Sequence, residues 1–484
     1  MSASWAKPEG KGPEFFTAFA LGLAAFLAYL ITLAPTVATN DAGRFQTAAP
    51  LLGTGHPTGY PTFILVGKLF TFLPFGDVAY RMNLMAAVFG GIAVALVYLV
   101  SREIGASKAP AVGSAFLFAF SAAFWSQATF AEVYSMHMAF LLGVTFLLLR
   151  WRDHGKPRNL VLAGFLYGLS LGNNAGMVLL APAFLILMAA GRSLSAKAVI
   201  TSGAAALLGL SIYAYVPIRG FAGAYHNYGD PVDTWNDVWR LVSGARFQGL
   251  MGTGPLEMLS NAGDFLYELS MQSVQPFGYL LAVVVLAGGA YGAAVVFSRD
   301  RVVGASLVVA ILCTLLYALS YDIDDISVYY LPVYTLLFLT LSAAVTHLSR
   351  SFRSFSLAVA PVILAALVFG LNFVPSDKSG YYAERERSEQ TLATLPEDAI
   401  LYGKVPIVPI TYLTEIEGRR EDVTLRWLDG GTLDREFESD IESGRPVFFI
   451  SDPRYNEEYL AEVEPHAEAE MEDDFIRLIP NPGE

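Results

Sequence analysis

The chain has 484 residues, of which 54% are hydrophobic and only 15% are charged, with a formal net charge of −13. Mean hydropathy is +0.47, whereas an ordinary soluble domain carries about 25% charged residues. The composition therefore excludes a soluble globule and points to a multi-pass membrane protein, and the single cysteine, Cys313, excludes an internal disulfide.

Eleven apolar segments follow one another at 15–35, 82–100, 109–125, 133–149, 159–172, 175–190, 198–218, 276–298, 302–320, 328–346 and 354–374. None contains Asp, Glu, Lys or Arg, and most match the ~20 residues that cross hydrocarbon as a helix. The first is too long for a signal-peptide core and lacks a clear cleavage site, so it reads as an anchor. The break "GNNAG" at 172–176 divides the fifth segment from the sixth as a hairpin.

Basic residues gather in alternate connections: Lys7 and Lys11, Arg102 and Lys108, Arg150 to Arg158, Arg192 and Lys197, Arg299 and Arg301, Arg350 and Arg353. The short connections 126–132, 173–174 and 321–327 contain none. The excess of Lys and Arg on cytoplasmic loops then predicts a cytoplasmic N-terminus. The 36–81 loop, the 219–275 loop, "YDIDDIS" and the C-terminus fall outside.

From 375 onward the character changes: 27 acidic residues face 11 basic ones. Stretches such as "AILYGKV", "VTLRWL", "PVFFIS" and "DFIRLIP" alternate with "IVPITYLTEIEG", "LDREFESDIESG" and "NEEYLAEV". Apolar β-rich runs between helical patterns predict a small soluble α/β domain over 375–484 with a parallel sheet. Its acidity argues against nucleic acid or anionic lipid as a partner. It has no Gly-rich phosphate loop, so it reads as an accessory domain that presents an acceptor.

Residues capable of chemistry cluster on the outer side. The first loop supplies Asp41, Arg44, His56, Lys68 and Arg81; the next carries Gln127, Glu132 and Tyr134; Arg219 and Asp322 open two others. Blander readings stand beside these. Asp41 suits a cap for the helix beginning "GRFQTAAPLL", His56 a turn before Pro57, and "DIDD" at 322–325 a solvated connection. Trp235 and Trp239, after a capping Asp233, suit an amphipathic helix at the membrane interface. The stretch "HPTGYPTFILVGKLFTFLPFG" is apolar yet too broken to span, as one wall of a lipid-tail groove would be.

The block "NDAGRFQTAAPLLGTGHPTGYPTFILVGKLFTFLPFGDVAYRMNLMAAVFG" resembles the first-loop signature of a branch of GT-C membrane glycosyltransferases. That branch was long described only as a domain of unknown function and is related to transmembrane protein O-mannosyltransferases. "FWSQATFAEVYSMH", "LSLGNNAGM", "VPIRGFAGAYHNYGDP" and "YDIDDISVYYLP" resemble its later blocks in the same order, over about 1–375. The resemblance implies an all-α polytopic fold and a polyprenyl- or dolichyl-phosphate hexose donor, typically mannose. It also implies inverting transfer to an outside acceptor, a protein or a glycan, with Asp41 as the essential carboxylate. The family's Asp, small residue, Gly, Glu becomes Asp41, Ala42, Gly43, Arg44 here, which leaves a divalent-metal requirement open. Asn173-Asn174 replaces the family's frequent Asn-His.

The residue types suit that chemistry. An acceptor hydroxyl attacking the anomeric carbon must lose a proton, and a carboxylate within hydrogen-bond reach accepts it; Asp77 is the main rival to Asp41. The leaving phosphate needs cations, for which His56, Arg81, Arg219 and Arg44 are the candidates. Tyr60, Gln127, Glu132, Tyr134, Asn173, Asn174 and Asp322 are expected to line the substrate groove. The competing class is a transporter or flippase for a lipid-linked sugar. Ion-coupled carriers, however, place ionisable groups near the bilayer midplane, where these spans have none.

Overall fold

The structure, a computed structural model, describes residues 11–191, 194–226, 231–323, 325–428, 433–451, 460, 467–472 and 475–480. Lys7, Arg192, Asp324 and, apart from Leu460, the predicted helix "NEEYLAEV" lie outside them.

The helices in order are α1 (Lys11–Ile31), α2 (Asn40–Leu51), α3 (Pro61–Phe70), α4 (Val78–Glu103), α5 (Lys108–Phe120), α6 (Ala122–Gln127), α7 (Val133–His154), α8 (Pro157–Leu171), α9 (Ala181–Ala189) and α10 (Ala196–Leu210). There follow α11 (Tyr215–Gly220), α12 (Trp235–Val242), α13 (Pro255–Ser270), α14 (Phe277–Arg299), α15 (Arg301–Leu319), α16 (Leu331–Ser351) and α17 (Phe355–Ser376). Each of the eleven predicted spans coincides with helix. Among the described residues, eight helices are long and apolar enough to cross a membrane. The predicted span 109–125 is shorter because Ser121 leaves helical geometry and breaks it into α5 and α6. Segment 175–190 opens as a 3-10 turn, Ala175–Leu180, before α9. The expected pairing of 159–172 with 175–190 is looser than a hairpin: α8 packs mainly along α10 and α7, and α9 along α15.

Lipid-facing helices gain little by burying apolar area against one another, so small residues that allow backbone approach decide the contacts. A methyl group at Gly168 on α8 would stand 1.9 Å from the Ala206 carbonyl oxygen of α10, and one at Gly292 on α14 would stand 1.8 Å from that of Thr340 on α16. Buried amides add fixed points. Asn372 of α17 donates to the Phe120 and Gln272 carbonyls and accepts from Ser273. At one end of the bundle, ion pairs Arg102–Glu14, Arg150–Glu103 and Arg152–Asp300 tie α1, α4, α7 and the α14–α15 turn together. Arg102, Arg150 and Arg152, from two of the basic connections, therefore share one end, and the loop carrying Asp41, at the opposite end of α4, lies toward the other.

The C-terminal part adds α18 (Ala383–Thr394), β1 (Ile400–Gly403), α19 (Ile407–Glu415), β2 (Thr424–Trp427), α20 (Leu433–Glu442), β3 (Val447–Ile450), β4 (Ala467–Glu472) and β5 (Phe475–Pro480). The sheet order is β2-β1-β3-β5-β4. Strands β2, β1 and β3 are parallel as expected, but β5 pairs antiparallel to β3 and β4 antiparallel to β5, so the sheet is mixed. The domain sits on the first loop. Arg385 of α18 makes a two-pronged pair with Glu417 and reaches Oδ2 of Asp77 at 3.4 Å. The Ala79 backbone N–H donates to the Tyr412 hydroxyl at 3.0 Å.

Candidate active site

The first loop is held in shape by amides rather than by its turn residues alone. Gln46 of α2 accepts from the Ala38 N–H and donates to Asn83 of α4 at 2.8 Å; Asn83 donates in turn to the Ala34 and Thr36 carbonyls. All these groups are buried, where an unmatched amide would cost about 1–3 kcal/mol, so α2 has one orientation against α4. Asp41 stands in the first turn of α2 and does not cap it; Thr39 precedes the helix without a side-chain cap. At Gly59 the chain takes φ +88°, with Val216 3.2 Å from where a side chain would begin, so a glycine is needed for the return toward α3.

This return sets His56 against Asp41. Its Nε2 lies 3.0 Å from Asp41 Oδ2 and its Nδ1 lies 2.9 Å from the Pro57 carbonyl oxygen. A carbonyl only accepts, so Nδ1 carries a hydrogen. With Nε2 protonated as well, the contact is an imidazolium–carboxylate pair. Arg44 Nε is 3.7 Å from the other oxygen, Oδ1. Burial alone would raise the Asp41 carboxyl, but His56 and then Arg44 outweigh it and hold the group at about 2.

Asp41 and His56 form part of the wall of a cavity of about 790 Å³. Tyr60, Gln127, Glu132, Tyr134 and Asn174, named above for the substrate groove, also line this cavity. Asn173 does not: it is buried and donates to the Val133 carbonyl. Asp322 is exposed and is not in the lining; of the described acids of the "DIDD" stretch it is Asp325 that lines the cavity. Sequence reading also missed Tyr317, Tyr321, Tyr329, His137 and, from the C-terminal domain, Val405. Burial, with Asp41 and Asp325 nearby, pushes the Glu132 carboxyl well above the usual range, although the Ala42 N–H donates to it. The cavity wall thus holds Asp41, whose carboxyl is lowered, and Glu132, whose carboxyl is raised, with Asp325 as a third acid.

The arginines fall elsewhere than expected. Arg81 donates to the Thr71, Phe75 and Gly76 carbonyls, closing the turn between α3 and α4. Arg219 donates to the Leu51 and Leu52 carbonyls, where the end of α2 leaves acceptors without helical partners. Arg44 is buried with its guanidinium 3.9 Å from the ring centre of Trp427. Among the described residues no Lys or Arg lines the cavity, and its basic side chains are those of His56 and His137. Nor do these residues include a group of three or more His, Cys, Asp or Glu placed to hold a metal ion. Asp77, the rival carboxylate, caps α4 through the Tyr80 N–H and accepts from Thr36, outside the cavity. Asp233 is not the cap of α12: Thr234 and Asp237 form a reciprocal capping box there, leaving Trp235 and Trp239 exposed.

The fold is that of the GT-C membrane glycosyltransferases. An ArnT from Cupriavidus metallidurans bound to undecaprenyl phosphate superposes with a TM-score of 0.60 at 12% identity, over 96% of this chain and 98% of that one. The oligosaccharyltransferase of Archaeoglobus fulgidus gives 0.54 at 14% identity, over 93% of this chain and 71% of that one. Within that class, residues 41–197 match the family described as the protein O-mannosyl-transferase TMEM260 N-terminal domain. The mouse protein O-mannosyl-transferase TMEM260 is 32% identical over 202 residues, 40% of this chain and 29% of its own length. Its Dictyostelium discoideum counterpart is 31% identical over 130 residues, 26% of this chain and 16% of its own. The chain spans less than a third of these relatives.

Proposed function

We propose that this protein is an inverting glycosyltransferase that moves a hexose, mannose in the first instance, from a polyprenyl- or dolichyl-phosphate carrier to a hydroxyl of an outside acceptor. The observation that carries this reading is the Asp41–His56 pair in the wall of a large cavity, in a GT-C fold, where the family match begins. The matched relatives are named protein O-mannosyl-transferases, which favours a protein hydroxyl as acceptor. The basic end of the bundle is assigned to the cytoplasm and the cavity with the C-terminal domain to the opposite side.

In this mechanism Asp41 meets the attacking hydroxyl on the face of the sugar opposite the phosphate. A carboxylate at about 2 is a weak base toward a free alcohol. As the oxygen bonds to the anomeric carbon, however, its proton becomes far more acidic, and an ionised, positioned carboxylate then suffices. His56 orients Asp41 on the acceptor side, and Glu132, whose carboxyl is raised, donates a hydrogen bond to the substrate when protonated. Tyrosine hydroxyls offer further donors to the sugar. The exposed Leu69 and Phe72 at the far end of α3 mark a course for the lipid tail. The C-terminal domain helps present the acceptor.

The test is to incubate purified protein with polyprenyl-phosphate mannose, and with other hexose forms, together with Ser- and Thr-containing peptides. Mass-tagged peptide of inverted anomeric configuration is the expected product. Transport of intact donor across a vesicle without transfer would replace this reading.

A further inference from the structure

The C-terminal domain does more than stand beside the cavity. Helix α19 lies on α2 so closely that a methyl group at Gly43 would stand 2.6 Å from Cγ1 of Val408. The turn after β1 brings Val405 into the cavity wall. Strand β2, paired with β1 through Trp427 and Gly403, ends with the Trp427 ring over the Arg44 guanidinium, 3.9 Å from its ring centre. Arg44 in turn stands 3.7 Å from Asp41 Oδ1 and is only 7% exposed.

We propose that Trp427 is a positioning residue of the active site, holding Arg44 beside Asp41 so that docking of the C-terminal domain completes the charge arrangement around that carboxylate. The inference rests on the assignment of Asp41 as the reacting carboxylate. A guanidinium is planar and weakly hydrated, so it stacks on an aromatic face while retaining its full charge. At a contact of 3.7 Å it adds its field to Asp41 without the close fork that would occupy both carboxylate oxygens. The groups facing Asp41 are His56 from the loop, Arg44 from its own helix, Glu132 at the start of α7, and Tyr60 ahead of α3. Of these, Arg44 is reached by Trp427 of the C-terminal domain.

The experiment compares Trp427→Leu and Trp427→Phe in the full-length protein, with polyprenyl-phosphate mannose as donor. In the Leu variant kcat should fall about tenfold, the scale of one well-buried cation–π contact, while KM for the donor changes by less than about twofold. The acid limb of its pH–rate profile should move to higher pH, because Asp41 loses part of the positive field that keeps it ionised. Trp427→Phe, which retains an aromatic face, should recover most of both effects. Equal damage in the Leu and Phe variants with an unmoved acid limb would reduce Trp427 to a packing role and overturn the proposal. A parallel cycle reads the contact without activity. Arg44→Leu and Trp427→Leu should lower the melting temperature by less together than the sum of their separate effects, and strict additivity would also overturn it. If the unaltered protein transfers nothing from any donor, the glycosyltransferase reading falls, while the cycle still reports whether the two residues are coupled.

Discussion

Nε2 of His56 stands 3.0 Å from Oδ2 of Asp41, with the opposite ring nitrogen fixed on the Pro57 carbonyl. The imidazole is thus oriented from behind, and the carboxylate keeps Oδ1 facing Arg44 at 3.7 Å.

Asp41→Asn keeps the size of the side chain and removes the proton acceptor. Turnover should drop by about 100- to 10,000-fold, the usual scale for a lost base, with donor affinity and melting temperature little changed. Steady-state transfer and donor titration separate the two. Full activity in Asp41→Asn would move the search to Glu132 and Asp325.

The pH profile follows from the pair. Asp41 must be ionised to accept a proton, and its carboxyl sits at about 2, so activity should persist as pH falls through about 4, where an ordinary Asp titrates. His56→Gln removes the largest influence lowering that carboxyl. Its pKa should rise, and the acid limb of the profile should shift upward by at least about one unit. An unshifted limb would show that another group sets it.

Glu132 predicts the opposite slope, in stability. Its carboxyl is raised in the folded protein by burial and by Asp41 and Asp325, so folding takes up a proton above the unfolded pKa of about 4.3. Stability should then decline as pH rises from there toward the folded value. Glu132→Gln, which mimics the neutral form, should flatten this decline in melting temperatures measured across the range.

Arg81→Ala should act on stability rather than on donor binding. It removes donors to three carbonyls of the turn from Thr71 to Gly76, a loss of about 1–3 kcal/mol for a partly exposed set. A lowered melting temperature with an unchanged KM for the donor is the expected result. A selective rise in KM would return Arg81 to the phosphate.

Much of this arrangement was legible in the chain because membranes demand simple patterns. Charge-free segments of about twenty residues marked the helices, and the loop around Asp41 stood out by its chemistry. The assignments that went astray share a cause. Arg81 and Arg219 carry the right charge for a phosphate, but the carbonyls they satisfy come from helix ends and turns whose geometry no local pattern records. In "DIDD", Asp325 lines the cavity and Asp322 does not, although the same residue type stands at both positions. Strand β4 reads "AEAEME", without a β-branched residue, and forms because β5 offers it a ladder. The meeting of Arg44 with Trp427 joins residues 383 positions apart in a chain of 484, and neither has a neighbour that announces the other.

That separation has a consequence for how the molecule is made. Asp77 meets Arg385 across 308 positions, and the Ala79 N–H meets Tyr412 across 333. A ribosome adding about 5–20 residues per second needs tens of seconds to cover such a distance. Throughout that interval the loop carrying Asp41 is already past its first anchor but lacks Arg385, Tyr412 and Trp427. The site is therefore finished only once Arg385, Tyr412 and Trp427 have been added, long after Asp41 itself.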